Sequence, residues 1–147
     1  MIPVLLKANA VDFSTYGIGV LADCISCEVT EERNGSYELV LQYPVTGRNY
    51  GELSSERIIK AKPNDTADDQ AFRIYRITTP IDGVVTVYAQ HISYDLSSIA
   101  ALTWSSESIS PSLAMQRVFQ NTATTHNFTC QTDYSEEKPF SVAKPQS

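Results

Sequence analysis

Two cysteines three positions apart are the residues whose spacing most directly suggests chemistry. Cys24 and Cys27 form a C-x-x-C pair, the spacing of redox-active dithiols and of half a zinc site. A zinc site of this type needs a second pair, whereas the sequence has one further cysteine, Cys130. The neighbouring residues alternate as in a β-strand, where side chains three positions apart point to opposite faces. We therefore interpret both cysteines as structural residues of a strand.

A histidine, a serine and an aspartate close together in sequence invite comparison with a hydrolytic triad. These residues are His91, Ser93 and Asp95. A triad depends on converging geometry rather than on closeness in sequence, and the sequence has no G-x-S-x-G motif to present a nucleophilic serine. We expect His91 to anchor the end of a strand by hydrogen bonds to nearby backbone or carboxylate groups.

Three aspartates in one polar stretch suggest a calcium loop. Asp65, Asp68 and Asp69 lie together, but they lack the regular Asp spacing, the glycine and the distal glutamate of an EF-hand. The stretch is therefore interpreted as a solvated turn.

Basic residues gather in a span that is otherwise acidic. They are Arg57, Lys60, Lys62, Arg73 and Arg76. Two interpretations stay open: a face that binds a partner, or exposed charges that keep strand edges from aggregating.

The elements around these residues begin with a β-hairpin. Cys24–Thr30 and Ser36–Tyr43 alternate between apolar and polar residues. Between them stand Asn34 and Gly35, which tolerate the positive φ of a two-residue hairpin turn. One face of the second strand is predicted to carry Tyr37, Leu39, Leu41 and Tyr43.

A second hairpin follows, with Asp82 and Gly83 as its turn signal. Its strands are predicted at Ala71–Thr79 and Val84–Ile92, and both faces carry apolar side chains, which favours cover on both sides. The alternation predicts one face with Phe72, Ile74 and Arg76, and the other with Arg73, Tyr75 and Ile77.

Two shorter strands are predicted ahead of the second hairpin. Ile2–Ala8 contains Pro3, which suits an edge strand. The span Arg57–Lys62 is the other strand.

The amino-acid composition changes after Leu96. Ser97–Ser112 contains seven serines and resembles a domain boundary or crossover. Ser110 and Pro111 predict a helix start. The helix is expected to run to about Asn121, with an apolar stripe of Ala114, Met115, Val118 and Phe119. Further strands are predicted at Phe128–Thr132 and Phe140–Ala143. Residues 100–147 are too few for an independent domain with these elements, so we expect the beginning of a second domain.

Composition excludes two classes of partner. The chain of 147 residues has a net charge of −6, which opposes tight binding to nucleic acid phosphates. No window has the roughly 20 apolar residues that cross a bilayer, so membrane insertion is not expected.

Several stretches together resemble one family. The chain is similar to the N-terminal region of phage minor structural proteins often described as prophage endopeptidase tail proteins, the tail-associated hub proteins of phages and prophages of Gram-positive bacteria. The stretches that carry the resemblance are Gly17–Gly19, Ser26–Leu39, Tyr43–Gly47, Ile59–Asn64, Phe72–Ile77 and His91–Leu96. The match covers at least residues 1–98, and the predicted helix and the strand near Phe140 suit the family's second domain.

The resemblance implies a mostly β fold: a β-barrel-like tail hub domain at 1–98 and the start of a small α+β second domain, truncated, at 99–147. It implies a homotrimeric ring in the full protein, docked to the distal tail protein at the tip of the virion tail. DNA would pass through without specific binding, which the acidic charge favours. The protein would be made in the cytoplasm of a Gram-positive host.

The resemblance transfers no catalytic residue, because peptidase activity belongs to more C-terminal regions of members that have it. We expect no catalytic, cofactor or metal site in this chain. The alternatives are a fragment of a cell-wall peptidase, which would show a zinc triad or a Cys–His pair, and a carbohydrate-binding β module. Trp104 could stack on a sugar, although packing at a domain junction is the simpler role for it.

Overall fold

Strands dominate the structure, a computed structural model that describes residues 2–144. The chain divides into two units, residues 1–92 and residues 93–147. The prediction of a mostly β fold with a small α+β part is confirmed.

The first unit is one antiparallel sheet curled into a half-barrel. The strands are β1 Val4–Leu6, β2 Gly19–Val20, β3 Ser26–Glu31, β4 Tyr37–Pro44, β5 Ile58–Ala61, β6 Gln70–Ile77 and β7 Val84–His91. Their order in the sheet is β2-β1-β5-β6-β7-β4-β3, and a single turn of 3₁₀-helix, Tyr50–Glu52, lies between β4 and β5.

The first strand lies inside the sheet, so the prediction of an edge strand was wrong. β1 pairs with both β2 and β5. Pro3 precedes the strand, and its carbonyl accepts a hydrogen bond from the Leu21 amide at 2.8 Å. Proline has no N–H to donate, but Pro3 stands before the strand, so β1 loses no inter-strand hydrogen bond. The edges are the two-residue β2 and the six-residue β3.

The first predicted hairpin is confirmed by the pairing of β3 with β4, but its turn differs. The Glu32 amide donates to the Ser36 carbonyl at 2.8 Å, and the Gly35 amide donates to the Glu32 carbonyl at 3.0 Å. Residues 33–35 thus form a three-residue tip. Asn34 has a φ of 57°, whereas Gly35 needs its small size, because a Cβ there would lie 2.8 Å from the Glu32 Cβ.

The second hairpin has the predicted turn. The amides and carbonyls of Ile81 and Val84 exchange hydrogen bonds of 2.9 and 3.0 Å. Asp82 and Gly83, the two residues between them, have φ angles of 52° and 76°. Two consecutive residues with positive φ make the type I′ turn that matches the twist of antiparallel strands.

A β-bulge in β6 alters the predicted faces. Ile74 pairs with Ala89 and Arg76 pairs with Tyr88, so Tyr75 has no residue opposite it on β7. One extra residue reverses the alternation of the strand. The predicted faces are therefore wrong for Arg76 and Ile77. Tyr75, which is 44% exposed, lies on the face away from Ile74 as predicted.

The concave face of the sheet carries the main core. Ile77, beyond the bulge, packs against it together with Val29 and Tyr37. Its buried members are Leu5, Leu21, Leu39, Leu41, Tyr43, Ile59, Ala61, Phe72, Ile74, Val85, Val87 and Ala89. This confirms the face predicted for β4.

A smaller core covers part of the opposite face. Its buried members come from β1, β5 and the start of β6; they are Val4, Leu6, Ile58 and Ala71. Ala10 and Phe13, in the loop after β1, pack against them. The expectation that the second hairpin is covered on both sides thus holds at the start of β6.

The second unit contains α1, Pro111–Gln120, and a two-stranded sheet of β8, Trp104–Ile109, and β9, Lys138–Val142. The predicted helix start is confirmed, since the Ser110 hydroxyl accepts a hydrogen bond from the Leu113 amide at 3.4 Å. Of the predicted apolar stripe only Ala114 is buried, and Met115 is 39% exposed.

One strand prediction in this region fails, because Phe128–Thr132 is irregular, whereas the strand predicted at Phe140–Ala143 is found as β9. The serine-rich stretch, predicted as a boundary, contains β8. A β-prone run becomes a strand only where another strand offers hydrogen bonds. The Phe128 ring instead packs against His126, with centroids 5.9 Å apart. Within residues 2–144, the helices are all too short or too polar to cross a lipid bilayer.

Candidate functional site

The C-x-x-C cysteines pack against the same core. Cys24 precedes β3, which begins at Ser26, so the prediction that the two thiols point to opposite faces was wrong. Burial raises the pKa of both thiols, to about 11 for Cys27. Both are free thiols and stay protonated near neutral pH, which makes them poor nucleophiles and poor metal ligands.

His91 is packed among aromatic rings at the end of β7. Its imidazole stacks on Tyr37 and meets the edge of Phe72. Its Nε2 lies 3.1 Å from Oε1 of Gln70, and burial lowers its pKa. These contacts, with an amide and two aromatic rings among the partners, fit the expected role as an anchor of the strand end.

The other two residues of the suspected triad follow β7. Ser93 and Asp95 lie in the 3₁₀-helix Ile92–Ser98. The backbone carbonyl of Asp95 accepts a hydrogen bond from the Ser98 hydroxyl at 2.7 Å. The local role of this segment is therefore a hydrogen-bonded helical turn.

The acidic stretch forms a turn held by an asparagine. Oδ1 of Asn64 accepts hydrogen bonds from the Thr66 amide at 3.0 Å and from the Ala67 amide at 2.8 Å. Such side-chain bonds stabilise loop turns. In the part of the chain that the structure describes, no group of three or more His, Cys, Asp or Glu side chains is arranged to hold a metal ion.

The basic residues do not form one free face. Arg57 pairs with Glu52 at 2.5 Å. Lys60 is buried and donates to backbone carbonyls, as described below. Arg73 donates to the carbonyls of Ala8 and Glu56 at 3.0 and 2.8 Å. Only part of the predicted cluster thus remains available for a partner.

Arg76 lies on the outer face of the sheet with two tyrosines. Its guanidinium carbon is 3.9 Å from the centroid of the Tyr88 ring, and the rings of Tyr75 and Tyr88 are 6.3 Å apart. Val40 stands directly opposite Tyr88. We name Tyr75, Arg76, Tyr88 and Val40 the Tyr–Arg patch.

The bulge creates this patch, and the sequence held a signal for it. Regular alternation would have placed Arg76 on the core face with Phe72 and Ile74. A cation among core positions is costly unless it is paired. That conflict indicates a break in the alternation between Ile74 and Arg76, which is where the bulge lies.

Trp104, considered as a sugar-stacking residue, has its ring in packing contacts. The Trp104 ring centroid is 5.2 Å from that of Phe140, and the guanidinium carbon of Arg117 lies 5.7 Å from the Trp104 centroid. Its Nε1 is buried without a hydrogen-bond partner among the described residues. A packing role therefore suits it better than stacking on a ligand.

A recess of about 580 Å³ lies in the second unit, lined by Phe119, His126, Phe128 and uncharged polar residues. Nδ1 of His126 accepts a hydrogen bond from the Phe128 amide at 3.1 Å, which occupies one of its two ring nitrogens. Cys130, a free thiol, lines the same recess, so a cysteine and a histidine border it, but among the described residues no carboxylate does. No hydrogen bond joins Cys130 to His126 in the described part of the chain, and the outer face of the sheet is the better candidate for function.

Comparison with protein families agrees with the sequence resemblance. The family described as prophage endopeptidase tail N-terminal domain matches residues 10–91, which is more than half of the chain and spans β2 to β7. No curated protein and no solved structure matches the chain. The family match confirms the resemblance.

Proposed function

The chain belongs to the family of prophage endopeptidase tail N-terminal domains, and from this we propose that it is a structural subunit of a baseplate hub at the tip of a phage or prophage tail. The observation that carries the proposal is the family match across β2 to β7, six of the seven strands of the half-barrel. The packing of the cysteines and of His91 supports a structural role.

The proposed assembly is a ring of three copies below the tail tube. A half-barrel leaves strands at its two edges, which here are β2 and β3. Exposed strand edges invite uncontrolled association unless they are covered or charged. Closed cyclic symmetry is the usual way for identical subunits to bury such surfaces without forming fibres.

The proposed partners are further copies of the chain and the distal tail protein. DNA would pass through the ring without specific binding, and the net charge of −6 supports this because it disfavours contact with phosphates. The place of action would be the virion tail tip, after synthesis in the cytoplasm of a Gram-positive host.

The proposal treats residues 1–98 as the hub domain and residues 99–147 as the beginning of a second domain. The family description supports this, because it names an N-terminal domain. In the full protein, more C-terminal regions would carry host-interaction or lytic functions. Catalysis is therefore assigned to none of the residues in this chain.

The mass of the full-length protein in solution tests the ring. Light scattering during size-exclusion chromatography should give three times the mass of one chain over a range of concentrations. A monomer at high concentration would contradict the ring.

An enzymatic function is tested separately. The same full-length protein and the 147-residue chain are incubated with peptidoglycan peptides. Cleavage by the 147-residue chain itself would favour the peptidase alternative and would contradict a purely structural role.

A further inference from the structure

The Tyr–Arg patch has the composition of an interface centre. Tyr75 is 44% exposed, Arg76 is exposed, and Tyr88 and Val40 are half-buried. Tyrosine and arginine are enriched where protein interfaces gain most of their binding energy. The Arg76 guanidinium already rests on the Tyr88 ring, so little side-chain freedom is lost when a partner binds.

Among residues 2–144, no carboxylate forms an ion pair with Arg76, so its charge is not neutralised within the described part of the chain. Arg57 shows the contrast, because Glu52 pairs with it directly. A guanidinium on an aromatic ring keeps its edge free for a carboxylate. The patch is therefore complementary to an acidic surface.

The same chain offers such a surface at the edge strand. Glu28 and Glu31 of β3 and the adjoining Glu32 are exposed, and in the described part of the chain none of them has an ion-pair partner. Glu28 pairs with Val40 on the outer face, whereas Glu31 pairs with Tyr37 on the core face, so these carboxylates border the edge strand from both faces. We name these three residues the acidic edge. Glutamates there discourage backbone pairing with another strand, so contact through side chains is favoured.

The two surfaces cannot neutralise each other within one copy. Glu28 pairs with Val40, Val40 with Tyr88, and Tyr88 with Arg76. Glu28 and Arg76 are thus three strand spacings apart, about 14 Å at ~4.8 Å each. Side chains that stand perpendicular to a sheet do not close that distance.

We propose that the Tyr–Arg patch of one copy binds the acidic edge of the next copy. The inference rests on the proposed ring and names its contact surfaces. A ring is built from heterologous contacts, which need two different and complementary surfaces on each subunit. The Tyr–Arg patch and the acidic edge meet that need, with Arg76 opposite Glu28 of the neighbour.

Charge reversal in the full-length protein tests this contact. The Arg76→Glu substitution should raise the concentration at which half of the ring dissociates by about tenfold or more, which corresponds to ~1.4 kcal/mol. Arg48→Glu is the matched control, since Arg48 is an exposed arginine outside the patch, and it should leave that concentration within about twofold. Circular dichroism verifies that each variant is folded.

A double variant shows which surface of the neighbouring copy contacts the Tyr–Arg patch. Combining Arg76→Glu with Glu28→Arg should restore most of the lost affinity, whereas each single change weakens the ring. Unchanged assembly of the Arg76→Glu variant would overturn the inference while the ring itself stands. The inference would also be overturned if Arg76→Glu weakens assembly and none of Glu28→Arg, Glu31→Arg and Glu32→Arg restores it. The Tyr–Arg patch would then contact a surface other than the acidic edge. A monomeric unmodified protein would remove both the ring and this contact.

Discussion

The imidazole of His91 lies nearly parallel to the ring of Tyr37, with centroids 4.4 Å apart and planes inclined by 17°. The Phe72 ring meets both of them edge-on, at 5.4 Å from Tyr37 and 5.7 Å from His91. The three rings come from β4, β6 and β7. They therefore fasten the central strands of the half-barrel together at one end.

We predict that His91→Ala lowers the free energy of unfolding by about 2 kcal/mol, because it removes a stacked ring and its buried area. Urea denaturation measures the change. The variant should assemble as the unmodified protein does wherever it is folded. If the chain cleaved peptidoglycan peptides and a folded His91→Ala variant did not, His91 would be catalytic and the structural role would be wrong.

The same residue predicts a pH dependence of stability. Burial lowers the pKa of His91 below its ordinary value of 6.5, so the unfolded chain binds the proton more readily than the folded one. Stability is then fully present above the unfolded pKa and falls as the pH drops through 6.5 towards the folded pKa. His91→Phe keeps an aromatic ring without a titrating group. Between about pH 7 and pH 5, the unfolding free energy of this variant should fall less than that of the unmodified protein. An equal fall in both proteins would show that His91 does not contribute to the pH dependence.

Gly17 predicts a sharp steric effect. Its φ is +53°, and a Cβ there would lie 2.4 Å from Cδ2 of Leu6 and 2.6 Å from the carbonyl oxygen of Leu5. Gly17→Ala should cost about 2 kcal/mol or more, from left-handed strain and the clash with β1. Gly51→Ala is the control, because its Cβ meets nothing within 4 Å. Thermal unfolding that ranks the two variants equally would contradict this.

Lys60 is a buried cation that holds the loop after β1, and we expect its substitution to destabilise the fold. It is 8% exposed, and its Nζ donates to the carbonyls of Phe13 at 2.9 Å and Thr15 at 3.3 Å. Lys60→Met should destabilise the fold by about 2 kcal/mol, since both carbonyls lose a charged donor. The exposed Lys62 gives the control, Lys62→Met, with a change within ~0.5 kcal/mol. Similar denaturation midpoints for the two variants would mean that water replaces the ammonium.

Local patterns predicted the elements whose signals lie close together in sequence. Asp82 and Gly83 specify a type I′ turn by themselves, and Ser110 with Pro111 specifies a helix start. These features depend on backbone preferences of a few neighbouring residues. They were therefore readable without knowledge of the fold.

Features that depend on residues far away in the sequence could not be predicted from local patterns. At the bulge, β6 has one residue more than β7 over the same stretch, and this register places Arg76 with Tyr88 on the outer face. The serine-rich β8 is a strand because β9 pairs with it. The conflict at Arg76 indicates a break in the alternation, but the residues that join Arg76 depend on β7 and β4, so the composition of the Tyr–Arg patch required the structure. The family resemblance needed only the sequence.

The most direct test of the proposed function is the position of the protein in the particle. Particles from an induced prophage that encodes the full-length chain are purified, and an antibody to residues 1–98 is located by gold labelling in the electron microscope. We predict label at the tail tip, together with three copies per tail by quantitative mass spectrometry. Particles that lack the protein, or that carry it away from the tail, would contradict a structural role at the tail tip.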